Sequence, residues 1–279
     1  MASFNSPQEV AKSLLDIGEK KARLPFGKMA WLGILAGVYI GFGAHLATTV
    51  GTGIGILGLK KLAMGAVFSV GLMLVVIAGS ELFTGNCLLG CGCAHKRVKL
   101  GGVLRNWSVV YVANLLGSIF LAWMVASQSG LLDGPVGGTA LSIAYGKVAA
   151  SPQGLGHNWA FFFRAIGCNW LVCLAVYMAL AAKNIVGKVW AIFFPIMAFV
   201  SSGFEHCVAN MYFIPAGIYA KSFTKAVVAS GLSQAQLNTI NWGSMWSQNL
   251  ISVTLGNIVG GALFVGVGYW YAFLRGSKD

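Results

Sequence analysis

Two glutamates and one histidine stand deep inside long apolar runs of this chain, Glu81, Glu205 and His206, whereas His45, His95 and His157 lie isolated near span ends. An ionisable group at that depth in a membrane costs roughly 2.5–3.5 kcal/mol on insertion scales, so each is a candidate for ion handling. The imidazole could share a proton or hydrogen-bond a passing ion, and Thr84, beside the first glutamate, could donate to it or accept from it. For the two carboxylates a scaffold role is the stronger reading, because a carboxylate beside a helix break can accept from the exposed N–H groups of the next half-helix. Cys87-x3-Cys91-x-Cys93-x-His95 has metal-binding residue types, but its spacing matches no pair of chelating knuckles and it starts inside an apolar run, so no metal or cofactor is expected. Gly51-Thr52-Gly53-Ile54-Gly55 lacks the Gly-Lys-Ser/Thr of a phosphate loop, and no serine elbow accompanies the acids, so no hydrolytic site is readable.

The elements that hold these residues are membrane spans. Of 279 residues 57% are hydrophobic and only 9% charged, with a mean hydropathy of +0.75. A soluble globule of this size has too little interior to hide so much apolar surface. Six runs reach the roughly 20 residues that cross a bilayer: 29–50, 62–89, 107–127, 159–182, 189–220 and 245–273. The net charge of +12 is dispersed between these runs, which reads as topology and headgroup contact and excludes nucleic acid as a partner. Most cations fall on the side of the two termini, against Lys60, Lys61, Lys147, Lys221 and Lys225 on the other, so both termini are expected in the cytoplasm and the protein in the cytoplasmic membrane. Residues 1–28 form a separate cytoplasmic segment: Ser6-Pro7-Gln8-Glu9 has the form of a capping box, and Val10, Leu14 and Ile17 follow at helical spacing. The plain expectation is an amphipathic helix anchored at the membrane surface, with gating or docking as the alternative. Residues 29–279 form the transmembrane domain.

The chain repeats itself. Gly79-Ser80-Glu81-Leu82-Phe83-Thr84-Gly85-Asn86 in the second span matches Gly203-Phe204-Glu205-His206-Cys207-Val208-Ala209-Asn210 in the fifth, and Asn106, Asn114 and Gly117 match Asn249, Asn257 and Gly260 at identical spacing. Three spans per half force the copies into opposite orientation, an inverted 3+3 repeat of an all-α membrane protein. Spans two and five are long and carry their glutamates among small residues, so both are expected to break there. The half-helix N-termini would then face the centre and attract anions. His206 has no mate in the repeat, since Leu82 takes its place, and an asymmetric polar residue in a symmetric scaffold points to chemistry.

The motif 203–211 with Pro215 four residues on, together with 79–84, resembles the formate/nitrite transporter family over essentially the whole chain. The resemblance implies an aquaporin-like fold, a homopentamer with one pore per protomer, and passage of small monovalent anions. By motif position it implies that His206 is the central pore histidine and Thr84 its partner, that Phe68, Leu72 and Phe199 form one apolar constriction, and that Leu82 lies on the other side of the central chamber. Val172, Asn169, Asn257 and the cationic Lys147 resemble further positions around the pore. Within the family the chain looks closest to the hydrosulfide-channel branch. The expected function is a channel for hydrosulfide, formate or nitrite with proton sharing at the histidine; a proton-coupled formate or nitrite carrier is the alternative. A membrane redox protein built on the Cys/His run, and a pore for water or neutral solutes, remain as rivals from other classes.

Overall fold

The computed structural model describes residues 4–149 and 157–276. Apart from one isolated bridge, Phe4 to Ala182, the regular structure among them is helical. Among the described residues five helices are long and apolar enough to cross a membrane: α2 (Phe26–Gly51), α3 (Leu57–Gly79), α6 (Leu100–Gln128), α8 (His157–Ala181, its apolar part beginning at Asn158) and α13 (Trp242–Phe273). Between them lie α1 (Pro7–Ala22), the short α4 (Phe83–Asn86) and α5 (Leu89–Ala94), α7 (Pro135–Val148), α9 (Ile185–Ser201), α10 (Cys207–Ala220), α11 (Thr224–Ser230) and α12 (Gln234–Thr239). The apolar α9 and α10 stand where the sequence suggests one broken span.

Several helices begin earlier than expected, α3 at Leu57 and α6 at Leu100, because the apolar count stopped at Lys60, Lys61 and Arg105. Lysine and arginine stems extend along a helix to headgroup level and do not end it. The helix α7 lies outside the six apolar runs. Its 14 residues are too few to cross a bilayer, and it packs on α10 and α11.

Glycine sets the closest approaches. A Cβ on Gly37 of α2 would lie 2.1 Å from the Asn114 carbonyl oxygen of α6, and one on Gly117 would lie 2.0 Å from that of Ile34. The second half repeats the contact: a Cβ on Gly256 or Gly260 of α13 would lie 2.3 or 2.2 Å from the Phe162 or Ile166 carbonyl oxygen of α8. Backbone cannot retreat as a side-chain end can, so Gly37→Ala should lower stability by at least about 1–3 kcal/mol. Thermal denaturation of the detergent-purified variant checks this, and an unchanged midpoint would mean that α2 and α6 can separate freely.

The first helix differs from a surface anchor. Its capping box forms, Ser6 Oγ accepting from Glu9 N and Glu9 Oε2 accepting from Ser6 N. Its apolar stripe, Val10, Ala11, Leu14, Leu15 and Gly18, is buried inside the bundle, chiefly on α5, and is not offered to lipid. Arg97, in the turn before α6, pairs with Asp16 at 3.0 Å and Glu19 at 2.9 Å. The hydrogen bond from Arg97 holds the Glu19 carboxyl below the usual carboxylate range. A pKa lowered by folding supports the docked helix above the ordinary value, about 4, and that support is lost as pH falls through the lowered one. Protease nicking of α1 should therefore be slow at neutral pH and accelerate only in acid, whereas Arg97→Gln should accelerate it at neutral pH. Equal nicking of both proteins would show that this pair does not hold α1.

Candidate functional site

The two breaks are built from the same parts. At the first, the end of α3 unwinds through wider i→i+5 turns, Gly79 takes φ +94°, and Ser80 to Leu82 run extended before α4. At the second, Gly203 takes φ +77° after α9, and His206 leads into α10. Positive φ is a conformation that glycine adopts without a Cβ clash.

The expected acceptance of half-helix N–H groups by the glutamates is not what the structure shows. Asparagines do it: Asn114 Oδ1 accepts from Phe83 N and Asn257 Oδ1 from Cys207 N, both at 2.9 Å. Each asparagine also donates twice, Asn114 to the carbonyls of Gly33 and Glu81, Asn257 to those of Ala165 and Glu205. Asn257, expected around the pore, thus has its amide committed to the break. The carboxylates are spent elsewhere. Glu81 accepts from Asn86 at 2.7 Å and pairs with Lys21 at 2.7 Å; Glu205 accepts from Asn210 at 2.7 Å and pairs with Lys147 at 2.9 Å. Asn86 and Asn210 each donate a second bond, to Asn106 and Asn249, which in turn donate to the carbonyls of Lys21 and Lys147. Thus α1 is the counterpart of α7. Both start with proline and both carry the lysine one residue before the last. Sequence comparison missed Lys21 because the Pro-to-Lys spacings in the two helices differ.

The symmetry stops after the breaks. Residues 83–94, rich in glycine, form two short helices joined by i→i+3 turns from Cys87 to Thr84 and Leu88 to Gly85, whereas α10 runs unbroken for 14 residues. His206 caps α10: its Nδ1 accepts from Ala209 N at 3.0 Å. A nitrogen that accepts carries no proton, so the neutral ring holds its hydrogen on Nε2 and donates it to Thr84 Oγ1 at 2.9 Å. The pair is buried, His206 being 2% and Thr84 0% exposed. A second proton could enter only at Nδ1, against the Ala209 N–H.

On one side of this pair lie aromatic rings. Phe199 stacks on His206 with centroids 5.8 Å apart, and Phe68 meets Phe199 edge-on at 5.7 Å. Phe213, which the motif comparison missed, stacks on Phe68 at 6.4 Å and carries Lys147 Nζ over its face at 5.9 Å. On the other side is a cavity of about 400 Å³ lined by Leu72, Leu82, Val75, Ser80, Glu81 and Lys21 among others. Leu72, one turn from Phe68, therefore faces the Leu82 side as well. Ser80 Oγ is buried there with no hydrogen-bond partner among the described residues. Asn169 donates to the Thr84 and Asn257 carbonyls at 3.2 and 2.7 Å, behind the pair and not into it. Val172 is 1% exposed in the same helix. Cys87, Cys91, Cys168, Cys173 and Cys207 are buried, Cys173 donating to the Thr84 carbonyl, and His95 Nδ1 accepts from Trp270 Nε1 at 3.1 Å.

A family model described as formate/nitrite transporter matches residues 8–271. The chain belongs to the formate/nitrite transporter family. It is 47% identical to the "Probable formate transporter" of Methanothermobacter thermautotrophicus, over 98% of this chain and 99% of that one. It is 34% identical to "Formate channel FocA" of Escherichia coli (strain K12), over 96% and 94%. Among solved structures, a "Pentameric formate channel with formate bound" superposes with a TM-score of 0.76 at 38% identity, covering 91% of this chain and 99% of that chain. As a member of the formate/nitrite transporter family the chain is a multi-pass membrane channel, not an enzyme, which disposes of the redox rival.

Proposed function

We propose that this protein carries formate and kindred monovalent anions, nitrite and hydrosulfide, one pore to each protomer of a homopentamer. Its termini face the cytoplasm of the cytoplasmic membrane, a reading that the bias of Lys and Arg supports. Formate heads the list because relatives alike over their whole length are named for it. The observation that carries the reading is the buried His206–Thr84 hydrogen bond at the meeting point of two broken spans.

An ion the size of formate faces an idealised transfer cost of order 20 kcal/mol into a medium of low dielectric. Lys21 and Lys147 stand at the two approaches, each beside its glutamate, and offset part of that cost. The unpartnered Ser80 hydroxyl donates to the anion in the cavity. Between Leu72 and Leu82 on one side and Phe68 and Phe199 on the other, water is excluded and the Nε2–H of His206 turns from Thr84 to the anion. A proton that enters with the ion and is taken up at Nδ1, in place of the bond from Ala209 N, makes the ring cationic; the Nε2–H is then shared with the ion, which passes as a nearly neutral species while the ring returns to neutral. Asn169, Val172 and Asn257 support the wall, and Glu81 and Glu205 hold the breaks.

Anion flux into proteoliposomes tests this, with formate, nitrite and hydrosulfide compared against water permeation. Saturable flux of anions, formate foremost, is expected. Water permeation without anion flux in correctly inserted protein would sink the proposal in favour of a neutral-solute pore.

A further inference from the structure

The helix α8 carries a cation within its membrane-crossing length. Arg164 is exposed, and its guanidinium lies over the Phe161 ring at 5.6 Å. Among the described residues no carboxylate neutralises it. Lys21 and Lys147 take Glu81 and Glu205, Arg97 takes Asp16 and Glu19, Lys225 takes Asp133, and Glu9 serves its own helix cap. An arginine on the outer face of a span needs either an anion or a route to the headgroups. It has the route. Seven residues at 1.5 Å each put Arg164 about 10 Å along the axis from the first residue of α8, within reach of its long side chain.

The surface around it is aromatic. Trp159, Phe162 and Phe163 touch one another with ring centroids 5.2 to 5.5 Å apart, and Trp159 and Phe163 are 59% and 55% exposed. Exposed tryptophan near a span end marks headgroup level. The geometry points to a phospholipid site: the phosphodiester sits on the Arg164 guanidinium, which can bind two of its oxygens, and the acyl chains lie along Phe162 and Phe163. A second copy of the chain is a poorer occupant, since its described carboxylates are all engaged in the same way and none of them is left for the arginine. The site also bears on the pore. The Arg164 carbonyl accepts from Glu205 N at 3.3 Å, so a lipid held on this turn steadies the turn that supports the second break. The inference requires the membrane fold but not any particular transported anion.

Native mass spectrometry of the full-length protein in detergent, titrated with phosphatidylglycerol or with phosphate-free diacylglycerol, tests it on wild type, Arg164→Lys and Arg164→Gln. Losing a charged hydrogen bond should reduce bound phosphatidylglycerol about tenfold in R164Q and less in R164K. Diacylglycerol should bind weakly to all three, and excess inorganic phosphate should leave the bound lipid in place. Equal phosphatidylglycerol retention by wild type and R164Q would overturn the site. Displacement by inorganic phosphate would overturn the lipid as its occupant. Dissociation of the R164Q oligomer with lipid retention unchanged would reassign Arg164 to a contact between subunits.

Discussion

His206→Ala should reduce formate flux by about 10- to 100-fold while the protein still assembles and inserts. The size follows from removing one hydrogen bond to a charged species, roughly 1.5–3 kcal/mol, from a buried place where no water can substitute. Folding should survive because the side chain's structural duty is the cap on α10, and losing a cap costs typically about 1 kcal/mol. His206→Asn separates the two duties. Asparagine is a good N-cap, so its amide oxygen can take the Ala209 N–H, and its NH2 can point toward Thr84 without being able to give up a proton. If proton sharing carries the ion across, H206N should restore stability but not flux. If only a donor is needed, H206N should recover flux to within a few-fold of wild type. Wild-type flux in both variants, in well-inserted protein, would remove His206 from the mechanism altogether.

The parts of this arrangement that could be read in advance are those set by local sequence. Apolar length gives most of the spans, and the paired Gly-x-Glu motifs give both breaks and single out His206 and Thr84, which the fold brings to 2.9 Å. What could not be read depends on which chemically equivalent partner tertiary packing selects. Either a carboxylate or an amide can accept a half-helix N–H, and the fold uses Asn114 and Asn257. That choice frees Glu81 and Glu205 for lysines 60 and 58 residues away, a separation that no local pattern spans. The helix α7 escaped because it is too short for a span and mostly small residues, so hydropathy alone does not separate it from a loop. Phe213 escaped because its partner Phe68 lies in the other half of the chain.

The second large effect belongs to those lysine–glutamate pairs. Lys147→Met should destabilise the protein by about 3–5 kcal/mol, because it leaves the Glu205 carboxylate, whose side chain is only 5% exposed, with no cation. Glu205→Gln should cost less, since the amide oxygen can still accept from Asn210 and the Lys147 side chain, 18% exposed, can turn toward water. In the double variant a neutral side chain faces a neutral amide, so it should be more stable than K147M alone; chemical denaturation in detergent measures all three. Strictly additive losses would mean that the two charges do not interact and that Lys147 serves the approaching anion alone. The repeat supplies an internal control. Lys21 is more open, at 26%, and Glu81 at 8%, so Lys21→Met should follow the same pattern with a smaller loss. It should also loosen α1, because the Lys21–Glu81 pair ties that helix to the first break. If K21M leaves both stability and α1 protection untouched while K147M does not, the two halves share a geometry but not its energetics, and the first lysine is held for the ion.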